Sequence, residues 1–459
     1  MLENWSDLRK YRTWRRLWIA LAETQRELGL DLSEQQIEQL RAHQDDVDFA
    51  VVARLERETL HEVTSHIRAY AQQCPAAAPI IHLGATSVFV DDNTYLIQIR
   101  DGLRILVPQI ARACRNLVGF ARECRDVPCL GYTHFQPAQV TTVGKRACLW
   151  LQDLLAAFKA VRDLSSDIPF RGAKGTTGTQ ASYLALFGGD HGKVKALDAG
   201  VARRMGFDEV VPVTGQTYPR GLDFRVLSAL GELAIACSKM ATDIRLLAST
   251  KEMEEPFGTA QVGSSAMAYK RNPMRSERIV ALSRFLLSNV QNAAFTAADQ
   301  WLERTLDDSA IRRLYLSEGF LAADSIARLA MNVTSGLVVN RRVIQKRLEA
   351  ELPFMATETI LMEAVKAGGD RQELHELIRR HAMAAGERVK NGDGVNDLLE
   401  RIRDDDAFQA VRVGLGELVR PEAFVGRAPE QVDDFLTEVA EPALRDVPEV
   451  DQGEQELKV

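Results

Sequence analysis

The chain has 459 residues, of which 46% are hydrophobic and 26% are charged, as expected for a soluble globular protein with a large buried core. Its formal net charge of −7 argues against a general nucleic-acid binder, so an anionic ligand must meet a local cluster of cations. No apolar run reaches the roughly 18 residues of a membrane-spanning helix, and the first residues lack the apolar core of a signal peptide.

Residues 1–86 predict an N-terminal helical domain. Apolar residues recur every three or four positions over residues 11–29, which predicts a first helix that ends at a glycine. Ser33 followed by Gln36 has the form of a capping box and predicts the start of a second helix. A third helix is expected over residues 47–72.

Residues 87–339 predict a central domain of long helices. Helical patterns longer than the usual helix of about 11–12 residues cover residues 100–125, 140–164, 222–247, 276–298 and 308–337. Their apolar stripes are wide and rich in alanine and leucine, so one helix pair cannot cover them. We therefore expect a bundle that continues across subunits, with a monomeric bundle of thick helices as the alternative.

Shorter helices over residues 340–445 predict a third, C-terminal helical domain, and the acidic, polar residues 446–459 predict a disordered tail. The predicted fold class is therefore all-α, with three helical domains and a central bundle of long helices. The six cysteines occur singly and without the spacing of a zinc site, which predicts reduced thiols in a cytoplasmic protein.

Residues 261–278, QVGSSAMAYKRNPMRSER, combine a flexible half with a charged half. Gly263 and the small residues after it allow a mobile loop with exposed backbone N–H groups. Asn272-Pro273 then ends the loop before a helix. The loop suits a site where negative charge develops on a carboxylate, although a basic linker between helices has a similar composition. Its cations are Lys270, Arg271, Arg275 and Arg278.

The order G-S-S-x-M-x-x-K-x-N-P resembles the signature loop of the fumarase/aspartase superfamily, whose members release fumarate by breaking C–N or C–O bonds. The longer string SSAMAYKRNPMRSER is similar to that of the adenylosuccinate lyase family, in its human-like branch. The resemblance covers about residues 11–444 and implies a fumarase/aspartase-like all-α fold. One departure is Ala268, where the superfamily usually has proline, so we expect a less rigid loop.

The resemblance implies a set of catalytic residues. Ser264, as an alkoxide, would remove a proton next to a succinyl carboxylate, and His134 would protonate the departing nitrogen. The latter lies in GYTHFQPAQ, residues 131–139, which we expect to be a loop entering a long helix. Histidine suits acid–base work because its ordinary pKa lies near neutral pH. His61 matches a second active-site histidine of the family, and Lys270 would stabilise a dianionic carboxylate.

Other residues match substrate-binding positions of the family: Thr86, Ser87, Thr133, Gln216, Asn272, Arg278, Arg304, Ser309 and Arg313. Thr86 and Ser87 end the stretch IIHLGATS, residues 80–87, expected to be a loop, and resemble a carboxylate grip, since hydroxyls and amides before a helix favour anions. Ser309 and Arg313 resemble the phosphate grip, because arginine forks suit phosphate. Arg312 is expected on a solvated helix face.

Two departures concern substrate contacts. Leu60 and Glu62 stand where the human-like branch has arginine and aspartate, so a cation is lost beside His61. The family also has an upstream Ser-Arg-Tyr stretch whose arginine helps to hold the phosphate, and Met1 lies too close to the first helix to include it. We expect either an earlier chain start or a substitute cation. Residues 170–182 are rich in glycine but lack the order of a nucleoside-triphosphate loop.

The resemblance implies a C–N lyase of purine nucleotide biosynthesis. It would eliminate fumarate from adenylosuccinate to give AMP, and from succinylated aminoimidazole carboxamide ribotide. It implies a small-molecule substrate, no metal or other cofactor, no nucleic-acid or membrane partner, and a cytoplasmic homotetramer with shared active sites. Two alternatives remain. One is another fumarate-releasing lyase such as argininosuccinate lyase, against which YKRNPMRSER argues. The other is an inactive helical scaffold, against which the intact catalytic residues argue.

Overall fold

The structure is a computed structural model that describes residues 1–258, 261–267 and 269–449. Two predictions fall on the remaining residues. The effect of Ala268 on the signature loop lies outside the described residues, and so does the disorder predicted for residues 450–459, which form most of the predicted tail.

Helices dominate the described part of the chain, which confirms the predicted all-α fold class. Short strands form two antiparallel pairs, β1 (Pro128–Thr133) with β2 (Gln136–Thr142), and β3 (Met253–Glu254) with β4 (Val338–Val339). The α-helices of the described residues are α1 (Asp7–Glu27), α2 (Glu34–Ala42), α3 (Phe49–Thr59), α4 (Glu62–Gln73), α5 (Ser87–Glu123), α6 (Val143–Ser166), α7 (Ala181–Leu186), α8 (His191–Arg204), α9 (Gly221–Ser249), α10 (Met274–Ala298), α11 (Asp307–Thr334), α12 (Arg341–Met355), α13 (Thr357–Lys366), α14 (Arg371–Asn391), α15 (Leu398–Asp404), α16 (Leu415–Leu418), α17 (Ala428–Phe435) and α18 (Glu441–Leu444).

The long helices predicted from the sequence are present, because α5, α6, α9, α10 and α11 have 37, 24, 29, 25 and 28 residues. The helix α5 begins at Ser87, well before the predicted start at Arg100. Its first turns carry Asp92, Asn93 and Thr94, which interrupt the apolar pattern although all three are buried. Burial of such groups is tolerated when they are hydrogen-bonded, and the Asn93 amide donates to the carbonyl one turn earlier at 2.8 Å.

The chain separates into two compact units. The first unit comprises residues 1–109, 156–235 and 281–327. The second unit comprises residues 110–155, 236–280 and the described residues from 328 onward. The division into three domains with boundaries after residues 86 and 339 stays a prediction.

In the first unit, the single helix predicted over residues 47–72 is wrong, because α3 and α4 are separate helices. Leu60 ends α3 in the left-handed conformation, with a φ of 51°, and His61 begins α4 as its N-cap. The His61 ring accepts a hydrogen bond from Thr64 N at 3.3 Å, which satisfies a backbone donor at the new helix start. Apolar residues continue through the break, so their periodicity did not reveal it.

In the second unit, residues 131–139 were predicted to be a loop, and most of them belong to a β-hairpin instead. The strands β1 and β2 pair with Thr133 opposite Gln136, so His134 and Phe135 form a two-residue turn. The strand pattern escaped sequence analysis because glycine and proline, which strands disfavour, interrupt both short strands. The hairpin places His134 at an exposed tip.

The six cysteines are free and buried, in agreement with the predicted reduced thiols. Burial raises the pKa of each thiol, to about 11 for Cys74 and about 12 for Cys237. Among the described helices, none combines the length and apolarity that a bilayer crossing requires.

Candidate active site

His61 and the Thr86-Ser87 pair lie together in the first unit. As the N-cap of α4, His61 uses Nδ1 as the acceptor for Thr64 N, so the proton of the neutral ring lies on Nε2. The Nε2 atom is 3.5 Å from Ser87 Oγ, and Ser87 is the first residue of α5. The start of a long helix attracts anions through its unpaired N–H groups and its dipole. These side chains therefore face a position suited to a carboxylate.

Gln216 links two other predicted residues. Its side-chain amide donates to Thr86 Oγ1 at 3.3 Å and accepts from Arg304 Nη1 at 2.7 Å. Its backbone is held on both sides, because Gln216 N donates to Glu303 O at 3.0 Å and Gln216 O accepts from Arg171 Nε at 2.8 Å. Thr86, Gln216 and Arg304 consequently form one polar chain.

A cavity of about 480 Å³ opens beside this polar chain. Gln216 and Arg304 line it together with Thr176 and Thr177 and the loop of residues 301–306. Cavities of about 300–1,000 Å³ are the usual size of small-molecule sites. The Gln216 amide and the Arg304 guanidinium of the polar chain therefore lie at a space of ligand size.

Ser309 and Arg313, the predicted phosphate grip, lie on the first turns of α11. Arg313 Nη2 contacts Glu62 Oε2 at 2.6 Å, and Glu62 Oε1 accepts from Lys10 Nζ and Tyr11 OH, each at 2.8 Å. Burial opposes ionisation of Glu62, but the charges and hydrogen bonds of Lys10 and Arg313 outweigh it and lower the pKa to about 2. The three ionised side chains together carry a net positive charge.

The prediction that Arg312 lies on a solvated face is wrong, since its exposed fraction is 2%. Its Nε contacts Asp223 Oδ2 at 2.7 Å and its Nη1 contacts Asp92 Oδ1 at 3.3 Å. Arg220 joins the same buried network through Asp92 at 3.0 Å and Asp308 at 2.6 Å. Neighbouring residues on a helix point about 100° apart, so one arginine of a pair faces inward. The buried aspartates, distant in sequence, select which one.

In the second unit, Ser264 opens the turn of the signature loop. Its half-buried Oγ accepts hydrogen bonds from Ala266 N at 3.3 Å and from Met267 N at 3.2 Å. Hydrogen bonds accepted by an ionisable group favour its deprotonated form. The local backbone therefore supports negative charge on this oxygen.

The two arms of the signature loop approach closely at Gly263. A Cβ atom there would lie 2.0 Å from Lys270 O, so only glycine fits. Asn272 Nδ2 donates to Gly263 O at 2.8 Å and closes the loop. The side chains of Lys270 and Arg278 are exposed and form no hydrogen bond or ion pair within the described residues. Their charges are therefore available to a ligand.

His134 occupies the hairpin tip with a φ of 53°, and Phe135 follows with a φ of 58°. Two-residue turns that need positive φ at both positions favour Asn-Gly, and other residues in sparsely populated backbone regions cost on the order of 1–3 kcal/mol each. Such strain persists mainly at functional positions. His134 and Thr133 are exposed, and no hydrogen bond joins His134 to Ser264 in the part of the chain that the structure describes.

Sequence analysis missed the acidic residues that contact these elements. Glu252, Glu254 and Glu255 lie a few residues before the signature loop, and each binds a partner in the loop, in α10 or in the hairpin. The only signal was the run KEMEEP, which has the composition of a solvated turn. These carboxylates do not form a metal centre. Among the described residues, no group of three or more His, Cys, Asp or Glu side chains is placed to hold a metal ion.

Comparisons with known proteins show the family of this chain. A family model described as "Lyase" matches residues 12–285, and a model described as "Adenylosuccinate lyase C-terminus" matches residues 353–435. Adenylosuccinate lyase of Saccharomyces cerevisiae is 50% identical over 448 residues, which cover 97% of this chain and 93% of the yeast protein. The chain belongs to the adenylosuccinate lyase family. The same enzyme of Schistosoma mansoni is 46% identical, with 97% of this chain and 93% of that protein covered.

Solved structures show how widely the fold of this family is shared. A fumarate lyase from Mesorhizobium sp. BNC1 superimposes with a TM-score of 0.81 at 22% identity, covering 95% of this chain and 96% of that one. A 3-carboxy-cis,cis-muconate lactonizing enzyme from Pseudomonas putida gives a TM-score of 0.83 at 20% identity, with 96% of each chain covered. The relatives thereby confirm the predicted adenylosuccinate lyase family, and the solved structures confirm the predicted fold.

Proposed function

We propose that this protein catalyses β-elimination of fumarate from adenylosuccinate to give AMP, and the same elimination from succinylated aminoimidazole carboxamide ribotide. The observation that carries the proposal is the environment of Ser264. Its Oγ accepts two backbone N–H groups in a loop whose Lys270 side chain is left without a protein partner among the described residues. An oxygen so placed suits a base, and the free ammonium suits the charge that develops on the substrate.

In the first step, the Ser264 alkoxide removes a proton from the carbon next to a succinyl carboxylate. The electron pair moves into that carboxylate, which becomes a dianion stabilised by Lys270 and the loop amides. The serine must lose its own proton beforehand. This is unfavourable in water, so the step requires the closed loop to exclude solvent around Ser264.

In the second step, the C–N bond breaks, the electron pair of the dianion forms the double bond of fumarate, and His134 gives a proton to the departing nitrogen. The exposed position of His134 at the hairpin tip leaves the ring free to meet a ligand. His61 is the proposed second active-site histidine, and Thr86 and Ser87 are the proposed carboxylate contacts. The other proposed substrate contacts are Thr133, Gln216, Asn272, Arg278 and Arg304.

The proposed assembly is a cytoplasmic homotetramer with shared active sites. Apolar side chains stay exposed on the long helices of the first unit, with exposed fractions of 56% for Ile235 on α9 and 69% for Phe295 on α10. Exposed apolar residues on neighbouring long helices are typical of subunit interfaces. Buried, unpaired cysteines fit a reducing compartment.

Ultraviolet absorbance on mixing the protein with adenylosuccinate tests this function. The purine chromophore changes when fumarate leaves, so an active lyase gives a progressive absorbance change. The succinylated ribotide is assayed in parallel to establish which substrate is preferred, and argininosuccinate serves as the negative control. An inactive scaffold would give no change with any of the three compounds.

A further inference from the structure

Residues 252–255, with the sequence Glu-Met-Glu-Glu, form an acidic segment in the second unit that ends five residues before the signature loop. We propose that this acidic segment is a positioning element, which fixes the hairpin of His134 and the start of α10 in one frame. Glu252 and Glu255 are its positioning residues. The proposal rests on the proposed function, because it assigns the frame to the two proposed acid–base residues.

Glu252 anchors the hairpin. It is 1% exposed, and its Oε1 accepts from Tyr132 OH at 2.9 Å. Arg347 of α12 contacts the same Oε1 through Nε at 2.8 Å, and donates through Nη2 to Tyr132 OH at 3.2 Å. Tyr132 lies on β1, with only Thr133 between it and the turn that begins at His134. The three side chains therefore form a closed triangle that fixes one strand of the hairpin.

Glu255 anchors the other side of the frame. It is 4% exposed, and its Oε1 accepts from Arg275 N at 3.0 Å. Its Oε2 accepts from Ser276 N at 2.9 Å and from Ser276 Oγ at 2.8 Å. A carboxylate at the first N–H groups of a helix acts as an N-cap and favours the helix dipole. Glu255 thus sets where α10 starts, and with it where the signature loop ends.

The backbone between the two anchors is itself fixed. Glu252 O accepts from Asn340 N at 2.9 Å, and the short strand β3 pairs with β4, Met253 opposite Val339. Three residues of extended chain span at most about 10 Å. This length limits the distance between the Cα atoms of Glu252 and Glu255. The hairpin and the start of α10 can therefore move apart freely only if one of the side-chain contacts breaks.

Stability alone does not account for the Glu252 triangle. A buried ion pair often contributes no more than well-packed apolar residues of similar volume. The second carboxylate oxygen of Glu252 is also buried without a hydrogen-bond partner in the described residues, which costs free energy. What the triangle supplies is a fixed geometry for the strand before His134. Positioning matters here because a misplacement of about 1 Å reduces a rate by about 100-fold.

Steady-state kinetics of Tyr132→Phe in the full-length protein tests the proposal. The variant keeps the ring and removes only the hydroxyl bound to Glu252, so kcat should fall by about 10- to 100-fold with KM changed less than about threefold. Glu252→Gln retains an acceptor for Tyr132 and should keep more activity than Glu252→Ala. The matched control is Thr334→Val, which removes a buried hydroxyl that donates to Ala330 O at 2.7 Å in the same unit.

Hydrogen exchange of the same proteins gives a readout that does not depend on activity. Glu255→Gln should speed exchange at the signature loop and also at the hairpin amides of residues 128–142, because the acidic segment joins them. Thr334→Val should leave the hairpin amides unchanged. If Tyr132→Phe leaves kcat intact, or if Glu255→Gln leaves hairpin exchange intact, the shared frame is wrong. If the wild-type protein converts no substrate, the proposed function fails, whereas the exchange result still decides whether the frame exists.

Discussion

Arg313 on α11 and Glu62 on α4 form an ion pair in which Nη2 and Oε2 are 2.6 Å apart. Lys10 binds the other oxygen of the same carboxylate at 2.8 Å. One acidic residue therefore holds two cations near each other, where the sequence predicts the phosphate grip. Lys10 is accordingly a candidate for the substitute cation that the departure at Leu60 calls for.

Arg313→Ala should weaken substrate binding by roughly 10- to 150-fold, since a charged hydrogen bond contributes about 1.5–3 kcal/mol. The loss should be much smaller for an analogue without the phosphate, because that analogue never used the contact. Isothermal titration of a Ser264→Ala background with both ligands measures the two losses without turnover. Equal losses would show that Arg313 holds a carboxylate or the fold instead.

Ser264→Ala and His134→Ala should each lower kcat by at least about 100-fold, the lower range for a lost acid–base group. Substrate binding should largely survive in both. Ser265→Ala is the matched control, because the exposed neighbour has the same side chain and forms no hydrogen bond within the described residues. Near-normal turnover of Ser264→Ala, together with a loss of turnover in Ser265→Ala, would show that Ser265 and not Ser264 is the base.

Two inactive variants should complement each other if the active sites are shared between subunits. We expect Ser264→Ala and His134→Ala homotetramers, after subunit exchange, to recover partial activity, because some hybrid sites then receive both intact residues. Native mass spectrometry verifies that the subunits have mixed. Mixed tetramers without recovered activity would place both residues in the site of a single chain.

Gly263→Ala should abolish most turnover, because its Cβ would lie 2.0 Å from Lys270 O and would separate the arms of the loop. Gly119→Ala on α5 is the control, since nothing lies within 4 Å of its Cβ position. That change should leave kcat unaltered and stabilise the helix by roughly 0.5–1 kcal/mol. Steady-state assays with thermal unfolding of both variants separate the two effects.

The stability of the protein should decrease on acidification because of His66. Its ring stacks on Tyr11 with centroids 3.9 Å apart, and burial lowers its pKa from 6.5 to about 4. Between these values the unfolded chain binds a proton that the folded chain does not, so the free energy of unfolding falls as the pH falls. The stability that depends on the neutral His66 ring is fully present above pH 6.5 and is lost as the pH falls through about 4.

His66→Phe should remove on the order of 1–2 kcal/mol of the stability lost between about pH 7 and pH 5. Urea unfolding at both pH values measures this difference. His375→Phe is the control, because it makes the same substitution at an exposed position on α14. An identical pH dependence in His66→Phe and wild type would show that the buried ring is not the group that titrates.

The fold was predictable where local pattern and tertiary structure agree. The long helices follow from apolar spacing, and the family resemblance follows from the motif around Ser264, which departs from the usual pattern at Ala268. The helix break at Leu60 was not predictable, because the left-handed conformation there is set by the cap of the next helix and not by a glycine. The hairpin was not predicted because both of its strands contain glycine or proline, which strands disfavour. The pairing of the two strands nevertheless stabilises them.

The candidate site shows the same division. Residues with a recognisable motif, such as Gln216 and Arg304, do meet in the first unit. The buried roles of Arg312 and Glu252 could not be predicted, because each residue binds partners that are about ninety or more residues away in the sequence. A charged residue is predicted to be exposed to solvent unless its buried ion-pair partner is known. A single sequence does not show which residues form such a pair.

The six buried cysteines can serve as native reporters of local opening of the fold. Because every thiol is enclosed and holds its proton more tightly than in water, an alkylating reagent meets no reactive thiolate on the folded chain. Labelling of a given cysteine therefore reports local opening of the structure around that residue. The reporters range from Cys74 after α4 to Cys237 on α9. Site-resolved labelling rates would convert these native residues into a map of local opening free energies, without any introduced probe.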